Sequence, residues 1–165
     1  MFLPSLGRLE QTRLSLNKED VYLSRYTDRV TRETREATAA LLREHGLRVT
    51  PQRRAIWSVF EGGAAGHLSA DEVLRRARRE LPELSRATVY NALGELVAAG
   101  LLQALDGRGS QLYDANVASH HHFRCRSCKR LYDVHPAGVE RLQLGESGFR
   151  VEETRVVFEG TCPEC

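Results

Sequence analysis

The chain has 165 residues, 41% of them hydrophobic and 28% charged, a balance that suits one compact domain or two small ones and excludes collagen-like, coiled-coil and disordered chains. No apolar run approaches the roughly 20 residues that span a bilayer. Met1-Phe2-Leu3 runs straight into Pro4 and polar sequence without the apolar core of an export signal, so a cytoplasmic protein with no membrane partner is expected. The 24 Lys and Arg against 22 Asp and Glu give a net charge of +2. Residues 1–30 hold 5 basic and 4 acidic side chains, 31–114 hold 12 and 11, and 120–165 hold 7 and 7. With no polycationic segment, nucleic-acid binding must come from a few basic residues on the right face.

Residues 1–30 show scattered apolar positions without a period and read as an N-terminal extension. From Thr31 the pattern is helical, with Ala37, Ala40 and Leu41 as its apolar positions and a stop at Gly46. Thr50-Pro51 then supplies an N-cap followed by proline at the first helical position. Ala55, Ile56, Val59 and Phe60 form the buried stripe of this second helix, which is expected to end at Gly62-Gly63. Ser69-Ala70-Asp71-Glu72 is a capping box. It opens a third helix that buries Val73, Leu74, Ala77 and Leu81, stops at Pro82, and turns Arg75, Arg76, Arg78 and Arg79 to solvent. The fourth helix runs from Ser85 to Gly100 and buries Val89, Leu93, Leu96 and Val97. Two strands, 101–105 and 110–113, follow around the hairpin turn Asp106-Gly107-Arg108-Gly109.

Helices followed by a β-hairpin make the order of a winged helix-turn-helix, here assigned to residues 31–114. In that arrangement the last helix enters the major groove N-terminus first and the wing reaches the phosphates. Arg86 and Tyr90, one turn apart, are the leading DNA contacts, with Thr88 and Asn91 on the same exposed end. Gln52 and Arg53 near the second helix start and Arg108 on the wing are phosphate-side candidates. The plainer reading of the same pattern is a helical bundle with a hairpin attached.

Residues 115–119 form a short hinge. After it, 120–165 read as a small α/β domain: strands at 120–125 and 129–134, a short helix over 136–144 stopped by Gly145, and a long final strand over 149–160. All four cysteines lie here, as Cys125-x-x-Cys128 and Cys162-x-x-Cys165. Two such knuckles in a reducing compartment present four thiolates to a structural zinc ion; redox-active dithiols or two disulfides are the competing reading. The 33 residues between the pairs exceed the span of a compact zinc ribbon, so the metal would clamp the two ends of a subdomain.

A second set of ligands precedes the first knuckle. In a strand, His120 and His122 share a face while His121 points away. Asp133 lies on the partner strand and Asp114 ends the wing. Nitrogen and oxygen donors suit Fe(II) or Mn(II) as well as Zn(II). An ion gathering Asp114 from one domain and the histidines from the next would fix the angle between them, which is how a ligand changes affinity at a distant surface.

From about Thr31 to Cys165 the chain resembles the ferric uptake regulator (Fur) superfamily of metal-responsive bacterial repressors. The motifs that carry the likeness are Arg48-Val49-Thr50-Pro51-Gln52-Arg53, Ser85-Arg86-Ala87-Thr88-Val89-Tyr90-Asn91, His120-His121-His122 and the two cysteine pairs. The resemblance implies an α+β fold, with an N-terminal winged helix-turn-helix domain and a small C-terminal α/β dimerisation domain. It further implies a homodimer, a zinc ion on Cys125, Cys128, Cys162 and Cys165, and a regulatory metal that makes the dimer competent for a palindromic operator. The regulatory ligands it implies are His67, Asp114, His120, His122 and Asp133; His67 comes from the resemblance alone, since a lone loop histidine is ordinarily solvated. Asp rather than Glu at 133 points to the peroxide-sensing (PerR-like) branch. In that branch bound Fe(II) and hydrogen peroxide oxidise a ligand histidine, here His67 or His120, whereas Mn(II) supports binding without that chemistry. Many family members carry a histidine for an additional site where this chain has Thr154, and Glu153 beside it is expected to face the other way. An iron- or zinc-uptake regulator is the alternative within the class. A non-haem iron enzyme is the alternative outside it, and that reading leaves the winged helix unexplained; the chain is expected not to be an enzyme.

Overall fold

The computed structural model describes residues 32–61, 66–107, 109–142, 144–145 and 148–165. Packing separates the chain after Ala37, and residues 38–165 form the unit considered below. The proposed extension over 1–30, Gly62-Gly63 and Arg108 lie outside the described residues.

Each helix of this unit starts or stops on a residue chosen for its local chemistry. Within this unit helix α1 covers 38–44 and closes on Gly46 at φ +73°. There the Leu47 N–H reaches back to the Leu42 carbonyl at 2.8 Å, a closure that needs a left-handed residue. Helix α2, Pro51–Trp57, is capped by Thr50, whose hydroxyl accepts from the Arg53 N–H at 3.2 Å. Helix α3, Ala70–Ala77, is capped by Ser69 and helix α4, Arg86–Ala98, by Ser85, each accepting from the N–H three residues on. Such a cap contributes about 1 kcal/mol. Only half of the expected capping box is used, because the Glu72 carboxylate pairs with Arg75 and Arg76.

Two departures concern the first helices. The buried face of α1 carries Thr38 and Leu42, with Leu41 partly buried beside them, whereas Ala37 and Ala40 are exposed; a methyl group buries too little area to set a helix's rotation against a leucine. Helix α2 stops at Trp57, earlier than expected. Residues 58–61 continue as tight turns, with Val59 N–H to the Ile56 carbonyl and Phe60 N–H to the Trp57 carbonyl, and Ser58 Oγ bonds the Ala55 carbonyl at 3.0 Å. That local hydroxyl bond competes with the regular helix, and the turns deliver Phe60 to the core.

Strands β1 (Leu68–Ser69), β2 (Gln103–Asp106) and β3 (Gln111–Asp114) form an antiparallel sheet in the order β1-β3-β2. The wing hairpin is thus as expected in kind, with strands that start two and one residues later and each end one residue later, and it is joined by the unanticipated β1. The core lies between this sheet and the helices: Leu42, Ile56, Val73, Val89, Leu93 and Leu96 are fully buried beside Leu84 and Tyr113. Burial of a side chain of this size contributes roughly 1.5–3 kcal/mol.

The second sheet has the order β5-β4-β6, with β4 (His121–Cys125) antiparallel to β5 (Leu131–Val134) and parallel to β6 (Val157–Gly160). The helix expected over 136–144 is a single 3-10 turn, Val139–Arg141, because Gly138 at φ +85° breaks the run before it starts. The long last strand is confined to Val157–Gly160. Pairing begins where the His122 N–H meets the Val156 carbonyl at 3.0 Å, and Phe149 to Arg155 run outside the sheet. Arg124 on β4 donates to the Asp106 carbonyl at the end of β2, tying the sheets together.

Candidate metal centres

The cysteine knuckles close on each other. Cys125 ends β4 and Cys162 follows β6, which the parallel pairing of Cys125 with Gly160 brings alongside. Cys128 and Cys165 stand at the ends of the two short turns. The Sγ atoms of Cys125 and Cys165 are 3.8 Å apart, as are those of Cys128 and Cys162, and all four lie within 4.8 Å of one another. Four sulfurs at about 2.3 Å from a tetrahedral zinc stand about 3.8 Å apart, whereas a disulfide requires about 2.05 Å. The donor set therefore fits zinc. Backbone N–H groups, that of Cys128 first and that of Cys162 next, pull the Cys125 thiol down to about 6. Tyr132 lowers the Cys162 thiol most. Ser127 favours the Cys165 thiolate too, but the Cys162 and Cys128 sulfurs, desolvation and Cys125 together outweigh it and push this thiol up to about 11. Four thiolates in one place repel, and a dication removes that cost.

The second cluster draws on four parts of the chain: His67 before β1, Asp114 at the end of β3, His120 and His122 at the start of β4, and Asp133 on β5. One ligand atom from each lies within 4.8 Å of all the others. In the register His122 stands opposite Asp133, and the alternation along β4 buries His120 and His122. His120 Nε2 is 2.9 Å from His122 Nε2, 3.2 Å from Asp114 Oδ2 and 3.4 Å from Asp133 Oδ1. His67 Nε2 is 3.0 Å from Asp133 Oδ1 and 3.6 Å from Asp114 Oδ2.

Tautomers settle what these atoms offer. The Nδ1–H of His120 donates to the Ala118 carbonyl at 2.8 Å and that of His67 to the Leu131 carbonyl at 3.1 Å. A carbonyl only accepts, so Nδ1 of each ring carries a proton, and Nε2 is the atom left to face the cluster. His67 Nε2 is buried and makes no hydrogen bond, although Asp133 Oδ1 stands 3.0 Å away. His122 is held neutral at pH 7: burial first, then the neighbouring imidazoles of His67 and His120, bring it down to about 4. For Asp133 burial acts upward, but the Asn116 amide and the three imidazoles outweigh it and hold the carboxyl below its usual range. The Nε2 atoms of the three imidazoles and one oxygen of each carboxylate converge on a common point. One proton between His120 and His122 serves a single pair, whereas a divalent cation satisfies all five. At bonds of about 2.1 Å adjacent ligands stand about 3 Å apart, the spacing seen here. The set fits Fe(II) or Mn(II), and Zn(II) as well.

Around the cluster, Gln103 on β2 donates to Asp114 Oδ2 at 3.2 Å, and Asn116 donates to both carboxylates. Sequence reasoning missed these two; the Asp114-x-Asn116 turn was the available signal, since Asp side chains often accept from the N–H two residues on. Asp114, Asn116 and Asp133 also line a cavity of about 600 Å³, walled by Trp57, Phe60, Leu131 and Tyr132.

The nucleic-acid candidates are placed less uniformly. Arg86, Tyr90 and Asn91 are exposed along the first half of α4, with Arg86 Nη1 3.0 Å from Asp71. Thr88 Oγ1 lies 2.7 Å from the capping Ser85 hydroxyl. Gln52 is exposed. The Arg53 guanidinium is engaged internally, with Glu95 at 2.6 Å and with the Arg48 carbonyl at 2.8 Å, which joins α2 to α4.

Helices ahead of a three-stranded wing, a thiolate cluster fitted to zinc and a five-donor His/Asp cluster define a metal-binding α+β protein of the winged-helix class. The chain belongs to the ferric uptake regulator family, whose model matches residues 44–159. It is 36% identical over 137 residues to the peroxide operon regulator of Bacillus subtilis (strain 168), covering 81% of this chain and 93% of that one. It is 34% identical over 134 residues to the peroxide-responsive repressor PerR of Staphylococcus epidermidis (strain ATCC 12228 / FDA PCI 1200), covering 79% and 89%. The structure of the ferric uptake regulator from Pseudomonas aeruginosa with manganese superposes with a TM-score of 0.61 at 26% identity, over 76% of this chain and 98% of that one. Among the described residues no helix is long and apolar enough to cross a membrane.

Proposed function

We propose that this regulator is a peroxide-responsive, metal-dependent repressor that binds a palindromic DNA operator as a homodimer in the cytoplasm. The single observation that carries the reading is the five-donor cluster of His67, Asp114, His120, His122 and Asp133, with its ligand atoms converging and the buried His67 Nε2 left without a hydrogen bond. Those residues would hold the regulatory Fe(II) or Mn(II), and Cys125, Cys128, Cys162 and Cys165 the structural zinc. The domain division follows the same reading: residues 1–30 an extension, 31–114 the winged-helix reader, 115–119 a hinge and 120–165 the dimerisation domain.

Support for the operator comes from α4, whose exposed Arg86, Tyr90 and Asn91 stand at its N-terminal half, where a recognition helix meets base edges. Thr88, Gln52, Arg53 and Arg108 complete the proposed contact set, Arg53 acting by fixing α2 on α4. Support for the dimer comes from the apolar stretch after the 3-10 turn, where Leu142, Leu144, Val151 and Phe149, the last 71% exposed, stand open to solvent. Exposed apolar area on this scale marks an interface.

Asp133 and the two peroxide regulators among the relatives favour peroxide over metal level as the signal. A bound Fe(II) would supply one-electron redox chemistry toward hydrogen peroxide; in the net reaction the imidazole of His67 or His120 gives up two electrons and takes one peroxide oxygen, and the other oxygen leaves as water. What the chain itself does is hold the two imidazoles by their Nδ1–H bonds to Ala118 and Leu131, with Nε2 turned inward; an oxidised ring loses that lone-pair geometry, and the operator is released. The test is mass spectrometry after peroxide treatment of the Fe(II)- and Mn(II)-loaded protein. A gain of one oxygen on a peptide containing His67 or His120, with Fe(II) only, is expected. Unmodified histidines together with retained operator binding would favour an iron- or zinc-uptake regulator.

A further inference from the structure

Asn116 stands in the segment after the wing, two residues past Asp114, and uses two different donors on two different carboxylates. Its backbone N–H donates to Asp114 Oδ1 at 2.8 Å, and its side-chain amide donates to Asp133 Oδ2 at 2.9 Å. Each bond takes one oxygen of the pair. The other oxygens, Asp114 Oδ2 and Asp133 Oδ1, are the ones that face the imidazoles, at 3.2 and 3.4 Å from His120 Nε2 and 3.6 and 3.0 Å from His67 Nε2. Asn116 is itself held, because the Gln103 amide that donates to Asp114 Oδ2 also donates to the Asn116 carbonyl. One residue thereby ties a carboxylate from the end of β3 to a carboxylate from β5.

We propose that Asn116 is a positioning residue that restricts Asp133 and Asp114 to one metal-facing oxygen each, so that the protein offers five donor atoms and leaves a position for a small exogenous ligand. The inference rests on reading the five residues as a divalent-metal site. Hard divalent ions such as Mn(II) favour six oxygen or nitrogen neighbours, and a carboxylate free to turn can supply two of them. Asp133, whose side chain is one-third exposed, has room to turn once its Oδ2 is released. Asp114 is almost fully buried and is held by backbone, which no substitution at 116 other than proline removes. The effect of a side-chain change at 116 therefore falls on Asp133. Asp114, Asn116 and Asp133 line the 600 Å³ cavity together with His67, so the cluster has space for a small molecule beside its two carboxylates.

The test uses the zinc-loaded full chain, with Mn(II) as the probe. Free Mn(II) is counted by electron paramagnetic resonance, and the water-proton relaxation rate per bound Mn(II) reports how many exchanging waters the ion keeps. Asn116→Ala keeps the bond to Asp114 and deletes the one to Asp133. It is expected to weaken Mn(II) binding by about 10-fold or more, the usual scale for a partner that orients a ligand, and to lower the relaxation rate per bound ion as Asp133 closes with both oxygens. Zinc content and circular dichroism identical to the parent separate this from misfolding. A relaxation rate per bound ion equal to that of the parent chain overturns the proposal whatever the affinity. A parent chain that binds no Mn(II), or that binds it equally after His120→Ala, overturns the five-residue reading and this inference with it. With normal parent binding, an unaffected Asn116→Ala variant removes only the role of Asn116.

Discussion

The two metal clusters of this chain differ in where their ligands come from. The four cysteines lie within the last 41 residues and are brought together by one sheet, β4 beside β6. The five His/Asp ligands span residues 67 to 133 and need both sheets and the loop before β1 to be in place. A thiolate cluster with four protein ligands closes a small fold, and its binding free energy is folding free energy. A cluster assembled from separate elements instead reports, and sets, how those elements stand. Under the proposed function the first ion serves stability and the second control, and each substitution below separates the two.

Cys125→Ser carries the largest expected effect. It removes a buried sulfur that also accepts the Cys162 N–H at 3.4 Å, so zinc, the β4–β6 sheet and the dimer are all lost together. A soluble, dimeric, zinc-free variant by sedimentation and metal analysis would dissolve the distinction between the two sites. His120→Ala or Asp133→Ala comes next. Metal-dependent operator affinity should fall by at least 100-fold, to the level of non-specific binding, while zinc content and circular dichroism stay those of the parent. Unfolding of these variants would mean that the roles of the two clusters are exchanged.

Smaller effects belong to the reader half. Arg86→Ala removes an exposed guanidinium whose only described partner is the surface carboxylate of Asp71. Such a pair contributes little, so thermal stability should hold while operator affinity drops by about 10- to 100-fold, the worth of one good base contact. Arg53→Ala should instead lower stability, because its bond to Glu95 joins α2 to α4 and its bond to the Arg48 carbonyl holds the segment before α2. The smallest change is Ser85→Ala, which deletes the α4 cap and should cost about 1 kcal/mol in denaturant unfolding.

Elements defined by local chemistry were legible in the sequence. Thr50-Pro51, Ser69 and Ser85 announce the helix starts, the wing turn announces its hairpin, and the period of two along 120–122 put two histidines on one face opposite Asp133. Whatever depends on a distant partner was not legible. The rotation of α1 is set by Leu42 against the core rather than by Ala37 and Ala40. The last strand is as short as its pairing with β4 allows, and Gly138 reduces a helical pattern to one turn. His67 has no periodic signal; only the Nδ1 bond to Leu131, 64 residues away, turns it into the cluster. Asn116 and Gln103 act on ligands rather than as ligands, and their types alone say nothing of it.

The central claim is that an ion on His67, Asp114, His120, His122 and Asp133 makes the protein competent for DNA. Operator affinity of the zinc-loaded dimer, titrated with Mn(II) and followed by fluorescence anisotropy, tests it most directly. Tight binding that appears only as Mn(II) fills one site per chain, and that is absent in His120→Ala, is the predicted result. Equal operator affinity with and without Mn(II) would contradict the account.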